Sequence, residues 1–372
     1  MYNIYTFSTP SNFTLFNTQL PSLPYHSNHS KAWRCCTTLR ATKSNDSVVV
    51  QGGGNVGNAL TCVARLGLNP RVISKVANDS QGMSILDELQ ADGVDTSFLV
   101  VSEEGTSPFT YIIVDNQTKT RTGIHTPGYP PMIPDDLSES SLLSALHGAR
   151  IVYFDGRLYE TALVVAQEAV RKNIPILVDA EGPREGLNDL LKVADYVVCS
   201  TKFPQAWTEA STIPQALVSI LLRLPNIKFV IVTLGKDGCL MLERSVDAVP
   251  FTEEVDIDSL VESLEMRKNE TVSIPTCISS PVTKLMAKGI GTVSGRLYLG
   301  TTESIPPSEV IDTTGAGDAF IGAVLYGSCQ VQRFRSKKWS SLSSRPALSV
   351  LYAVDFLVMV SLANMSYLQR AI

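Results

Sequence analysis

The chain has 372 residues, 44% of them apolar and 18% charged, enough for one large α/β core or two smaller ones and for an ordinary globular class. A net charge of -5 and a pI near 5.5 give no basic field of the kind that nucleic acid requires. The seven cysteines, at 35, 36, 62, 199, 239, 277 and 329, form neither a C-x-x-C pair nor a dense secreted framework, and they show no metal-ligand spacing. They read as reduced thiols, with Cys62, Cys199 and Cys239 as small buried hydrophobes in apolar segments.

Residues 1–45 contain no Asp or Glu, thirteen Ser or Thr, and the basic residues Lys31, Arg34, Arg40 and Lys43. That composition is expected of an organelle transit peptide, with Cys35-Cys36 near the cleavage region and the chloroplast as destination. A plain solvated leader on a cytoplasmic protein is the alternative.

From Val48 onward, short β-branched runs alternate with longer amphipathic segments, which predicts a mostly parallel sheet with helices on its faces. Strands are expected at Val72–Val76, Thr110–Val114, Ile151–Phe154, Ile176–Val178, Tyr196–Cys199 and Phe229–Thr233, and helices at Glu160–Lys172 and Ile213–Arg223. Ligands of open α/β sheets bind outside the carboxyl ends of strands, so Asp155, Asp179, Ser200 and Gly235 should face one cleft.

Residues 244–307 break the rhythm with an acidic stretch and a Ser/Thr/Pro-rich middle, and are expected to be a solvated loop insertion. The tail, 328–372, has no glycine, a short basic run at Arg333, Arg335, Lys337 and Lys338, and an apolar run at Ala347–Ala363. Asp355 at the centre of that run favours a buried or amphipathic helix over a membrane span.

The sharpest signal is Ile311-Asp312-Thr313-Thr314-Gly315-Ala316-Gly317-Asp318-Ala319-Phe320, followed by helix-compatible residues. Glycines on both sides of Ala316 permit a tight turn whose N–H groups point outward, and the positive end of the following helix adds to it, making an anion hole. Asp318 stands where it can accept a proton from a substrate hydroxyl while those N–H groups meet the charge on a transferred phosphoryl group. A merely structural helix start with an Asp cap is the bland alternative.

That segment resembles the C-terminal signature of the ribokinase-like (PfkB) carbohydrate kinases. Gly53-Gly54-Asn55-Val56-Gly57-Asn58-Ala59 is similar to the family's sugar-binding turn, and Thr233-Leu234-Gly235-Lys236-Asp237-Gly238 to its nucleotide-binding turn. Gly82, Leu89, Gly93 and Val94 also sit as in the family, and ketohexokinase-like members look nearest.

The resemblance implies a three-layer α/β/α sandwich with a kinase domain over 46–327 and a small lid that is reduced or incomplete. It implies ATP with Mg²⁺ and a small-molecule sugar or nucleoside substrate, with no nucleic acid or membrane partner; it allows a homodimer. Carried over, Gly53, Gly54, Asn55, Asn58, Asp155 and Arg157 would bind substrate. Arg121, Thr233, Gly235, Gly238 and Thr313 would bind ATP, and Gly315, Ala316, Gly317 and Asp318 would catalyse.

Three departures stand out. The family's Mg²⁺-associated Asn-x-x-Glu should fall near Ser200-Thr201-Lys202-Phe203, which has neither residue, so no protein metal ligand is assigned and metal would be held through ATP phosphates and water. The family's first strand, with its sugar-binding Asp, is missing before Val48, and the tail replaces the usual closing helices. These breaks favour a second reading, a catalytically weak kinase-like binding or regulatory protein. A third reading, an NAD-dependent oxidoreductase, starts from Gly52-x-Gly54-x-x-Gly57, which matches a dinucleotide fingerprint with Asp79 as its acid, although Asp79 lies past the second strand in a turn.

Overall fold

The computed structural model describes residues 4–8, 39–41, 53–114, 121–245, 254–269, 274–303 and 315–336. Val48–Val50, Thr313 and Ala347–Ala363 lie outside them.

The main sheet runs, edge to edge, Glu254–Asp256, Thr283–Ala287, Gly291–Gly300, Cys239–Arg244, Phe229–Thr233, Tyr196–Ser200, Ile176–Ala180, Val152–Phe154, Ile4–Ser8, Asn69–Ala77 and Asp95–Ser102. Cys277–Ser279 pairs with Gly291–Gly300 beside this path. From Phe229–Thr233 to Val152–Phe154 every pairing is parallel, as is Asn69–Ala77 with Asp95–Ser102. The central strands read as apolar runs because both of their faces are covered; all five residues of Ile176–Ala180 are buried.

Side-chain alternation sends Val152 and Phe154 into one core, with Val165, Leu190 and Leu217. Ile151 and Tyr153 enter the other, with Leu60, Ile85 and Val324. Helices Glu139–Leu146, Tyr159–Arg171, Leu187–Val193, Ile213–Arg223 and Ile257–Glu265 cover the first face. Gly54–Arg65, Ser80–Ala91 and Ala316–Ser336 cover the second, which completes the expected three layers. Tyr159–Arg171 forms because Ala162, Val165, Ala166 and Ala169 recur at helical spacing and are all buried.

Three expectations need correction. Thr110–Val114 is a strand, but of a separate three-stranded lid, Leu39–Ala41, Phe109–Val114 and Arg121–Thr126, so residues 39–41 of the leader belong to the fold. Residues 244–307 are not simply a loop. Their described part carries four strands and a helix, and Ile257, Leu264, Leu285, Val293, Leu297 and Leu299 are buried there. The alternating burial of Thr283–Ala287 is that of a half-buried strand, antiparallel to Gly291–Gly300 and parallel to Glu254–Asp256, whose signal is diluted by the Ser, Thr and Pro residues around it.

The gap left by the missing first strand is also filled. Ile4–Ser8 lies antiparallel between two strands that point the other way, pairing Ile4 with Ile73 and with Phe154. Its five residues bring no carboxylate.

Cys62, Cys199 and Cys239 are buried free thiols, each pushed up by burial. Among the described residues no helix is long and apolar enough to cross a membrane.

Candidate active site

Helix Gly54–Arg65 begins at Gly53, whose φ of 114° lies in the left-handed region. A Cβ there would also stand 2.8 Å from Gly57 Cα. The turn aims Asn55 and Asn58 from the first coil of the helix toward the carboxyl ends of the parallel strands.

Helix Ala316–Ser336 packs against the same helix. Gly322 permits the approach, since a Cβ on it would meet Cys62 Cβ at 2.7 Å and the Ala59 carbonyl at 2.8 Å. Two segments distant in sequence thereby meet: the Asn58 amide, 2% exposed, donates from Nδ2 to Asp318 Oδ2 at 2.5 Å. Gly315 adopts φ 80° and its carbonyl takes the first helical hydrogen bond, from Ala319 N–H at 2.9 Å. A Cβ on Gly317 would meet nothing within 4 Å, so this helix start faces open space, as an anion hole must.

Asp155 follows strand Val152–Phe154 and is 3% exposed. Its Oδ1 accepts from the Arg157 backbone N–H at 3.2 Å, and its Oδ2 lies 3.5 Å from Arg157 Nε without a hydrogen bond. Burial pushes this carboxyl up to about 6, against the pull of Arg157. Asp179, in the next strand, is raised well above the carboxylate range by burial and then by the negative charges of Glu181, Asp318 and Asp155. These four carboxyl groups share one site.

Glu181 was not foreseen. Its carboxylate accepts from Asn55 Nδ2 at 2.6 Å, Arg184 Nη2 at 2.5 Å and Arg157 Nη2 at 3.4 Å. Its position just past the end of Ile176–Ala180 is the signal that would have found it.

Of the expected cleft residues, Asp155 and Asp179 join this cluster. Ser200 donates to the Glu181 carbonyl at 2.7 Å, so its hydroxyl serves the scaffold. The second turn, at the end of Phe229–Thr233, is held by Thr201 Oγ1 donating to the Thr233 carbonyl at 2.7 Å and by Leu234 N–H donating to the Gly238 carbonyl at 2.8 Å. Gly238, at φ 94°, passes so close to the Gly300 carbonyl that a Cβ would stand 1.9 Å from it. A Cβ on Gly235 would meet nothing within 4 Å, leaving this turn open to a ligand as well. Arg121 opens the Arg121–Thr126 lid strand.

Asp79 does not fit the dinucleotide reading. Its Oδ1 accepts from Gly82 N–H and Ser107 Oγ, both at 2.7 Å, and its Oδ2 from Ser107 N–H at 2.8 Å. The carboxylate is engaged in capping helix Ser80–Ala91 and tying down Ser107, a structural role in place of a ribose contact.

Comparisons with known proteins bear on the fold and the family. Ribokinase of Mus musculus is 21% identical over 281 residues, covering 74% of this chain and 70% of the mouse protein. Among solved structures, adenosine kinase of Anopheles gambiae, in complex with P1,P4-di(adenosine-5) tetraphosphate, has a TM-score of 0.57 at 16% identity, covering 87% of this chain and 84% of its own. Aminoimidazole riboside kinase of Salmonella enterica, with aminoimidazole riboside and an ATP analog, has a TM-score of 0.54 at 20% identity, covering 89% and 90%. These likenesses carry the fold. Residues 33–258 and 276–335 match the pfkB family carbohydrate kinases, a span that takes in most of the chain, and the chain belongs to that family.

Proposed function

We propose that this chain transfers the γ-phosphoryl group of ATP to a hydroxyl of a sugar or nucleoside, with Asp318 as general base. The observation that carries the reading is the contact between Asn58 and Asp318. It sets the carboxylate beside the sugar-binding turn and at the mouth of an open helix N-terminus. Of the two ends of the Asn58 amide only the N–H can donate to a carboxylate, so the contact orients the base and favours its ionised form.

In this reading Gly53, Gly54, Asn55, Asn58, Asp155 and Arg157 hold the substrate hydroxyls. Gly315, Ala316 and Gly317 offer backbone N–H groups to the phosphoryl group as its charge spreads. Thr233, Gly235 and Gly238, with Arg121 and Thr313, receive the nucleotide. Mg²⁺ would neutralise phosphate charge and would be held by ATP and water, since Ser200–Phe203 brings no carboxylate. Within the family the reading keeps the ketohexokinase-like affinity, and it assigns the chain to the chloroplast on the strength of its acid-free leader.

The test is Asp318→Asn with ATP and a sugar panel. Binding should persist while turnover falls by about 10²- to 10⁴-fold; equal turnover would refute the assignment. A second reading, a kinase-like binding protein of weak activity, is favoured by the carboxylate-free strand Ile4–Ser8 and by Ser200–Phe203. Sugar binding by the unaltered chain without turnover would select it.

A further inference from the structure

Glu181 takes no part in the proton and phosphoryl steps proposed above, yet its carboxylate binds three side chains of the site. Its two oxygens accept from Asn55, Arg184 and Arg157. Arg157 also lies 3.5 Å from Asp155. Both guanidinium groups beside the substrate residues are therefore committed to carboxylates of the protein. The lid residue His125 adds no third cation at neutral pH, because partial desolvation and the positive fields of Arg157 and Arg184 hold it below its ordinary value.

The same contacts decide what the site offers a ligand. Asn55 gives its amide N–H to Glu181, which leaves its carbonyl oxygen as an acceptor. An acceptor of this kind matches the O–H donors of a polyol. A phosphate or carboxylate has only acceptors of its own, and would meet the carboxyl groups of Asp155, Glu181 and Asp318, while the two described arginines beside them, Arg157 and Arg184, are engaged by Glu181.

We infer that Glu181 is a specificity-determining residue, which ties Arg157 and Arg184 to the protein and restricts the site to uncharged polyhydroxy substrates, excluding sugar phosphates and sugar acids. The inference rests on the kinase reading for the nature of the ligand, and its test separates the two.

The full chain, Glu181→Gln, and the double variant Glu181→Gln/Arg184→Gln would each be titrated calorimetrically with D-fructose, D-ribose, D-fructose 6-phosphate and D-gluconate, with ATP turnover measured in parallel. The unaltered chain should prefer the neutral sugars. Glu181→Gln should narrow that preference by about 10- to 100-fold, the worth of one charge-assisted contact, read in the binding constants and in KM across the four ligands. Removing the released cation in the double variant should restore the preference. An unaltered chain that binds fructose 6-phosphate as tightly as fructose, or binds none of the four, overturns the inference. So does a Glu181→Gln variant that weakens all ligands alike, as a merely structural role would. Selective binding without turnover supports the inference and counts against phosphoryl transfer.

Discussion

Asn58 and Asp318 stand 260 positions apart in the chain and 2.5 Å apart in space. The contact joins the helix that follows the Gly53-Gly54 turn to the helix that carries the proposed base, so each positions the other. Asn58→Leu, which removes the donor at similar volume, should lower kcat by about 10- to 100-fold, the range for one hydrogen bond to a charged group. Asn58→Asp should do more, because two adjacent carboxyls resist joint ionisation and the rate profile should move to higher pH. Steady-state kinetics across pH 5–9 would read both; unchanged profiles would mean that the contact does not orient the base.

Gly322 is the point where those two helices touch. A Cβ there would stand 2.7 Å from Cys62 Cβ and 2.8 Å from the Ala59 carbonyl. Gly322→Val should therefore separate the helices, costing about 1–3 kcal/mol of stability, as overpacking does. Activity should fall with it, since Asp318 lies one turn from the strained contact. Thermal melts together with kcat would show this, and an equally stable, fully active variant would contradict the packing argument.

Asp155 makes stability depend on pH. Its carboxyl sits near 6 when folded, against an ordinary value near 3.8, because burial disfavours the charge. Between those values the folded chain holds a proton that the unfolded chain has released. This group's contribution is fully present below pH 4, is lost as pH rises to 6 and is flat above that. The difference corresponds to about 3 kcal/mol at about 1.4 kcal/mol per unit. Asp155→Asn should flatten urea-unfolding stability across pH 4–6; an unaltered slope would assign it to other groups, Asp179 being the nearest candidate.

The strand Ile4–Ser8 sets a structural demand against the proposed import of the chain into chloroplasts. It pairs with Asn69–Ile73 on one side and Val152–Phe154 on the other, so removing residues 1–45 would leave ladder groups of both neighbours without partners. A chain starting at residue 46 should lose several kcal/mol of a total of about 5–15. Equal denaturation midpoints for the two lengths would show that the strand contributes nothing. A leader-fused fluorescent reporter that stays in the cytosol would exclude import independently.

The sequence by itself determined the elements whose signal is local. Gly315-Ala316-Gly317-Asp318 specifies a turn and helix start because only particular backbone angles and a free N–H array suit those residues. Phe229–Thr233 and Ile213–Arg223 follow from hydrophobic period alone, and the strand ends at Asp155 and Asp179 follow from the topology rule for parallel sheets. Tertiary structure decided what depends on neighbours remote in sequence. Glu181 becomes a hub only when Asn55, 126 positions away, is brought beside it. Gly291–Gly300 becomes a buried strand only when Cys239–Arg244 and Thr283–Ala287 supply its ladders. Ile4–Ser8 carries no pattern that marks it as a central strand; it takes that place because the gap between Asn69–Ala77 and Val152–Phe154 leaves backbone hydrogen bonds to be made. Local propensity is written residue by residue, whereas pairing and charge balance belong to residues the chain has first to bring together.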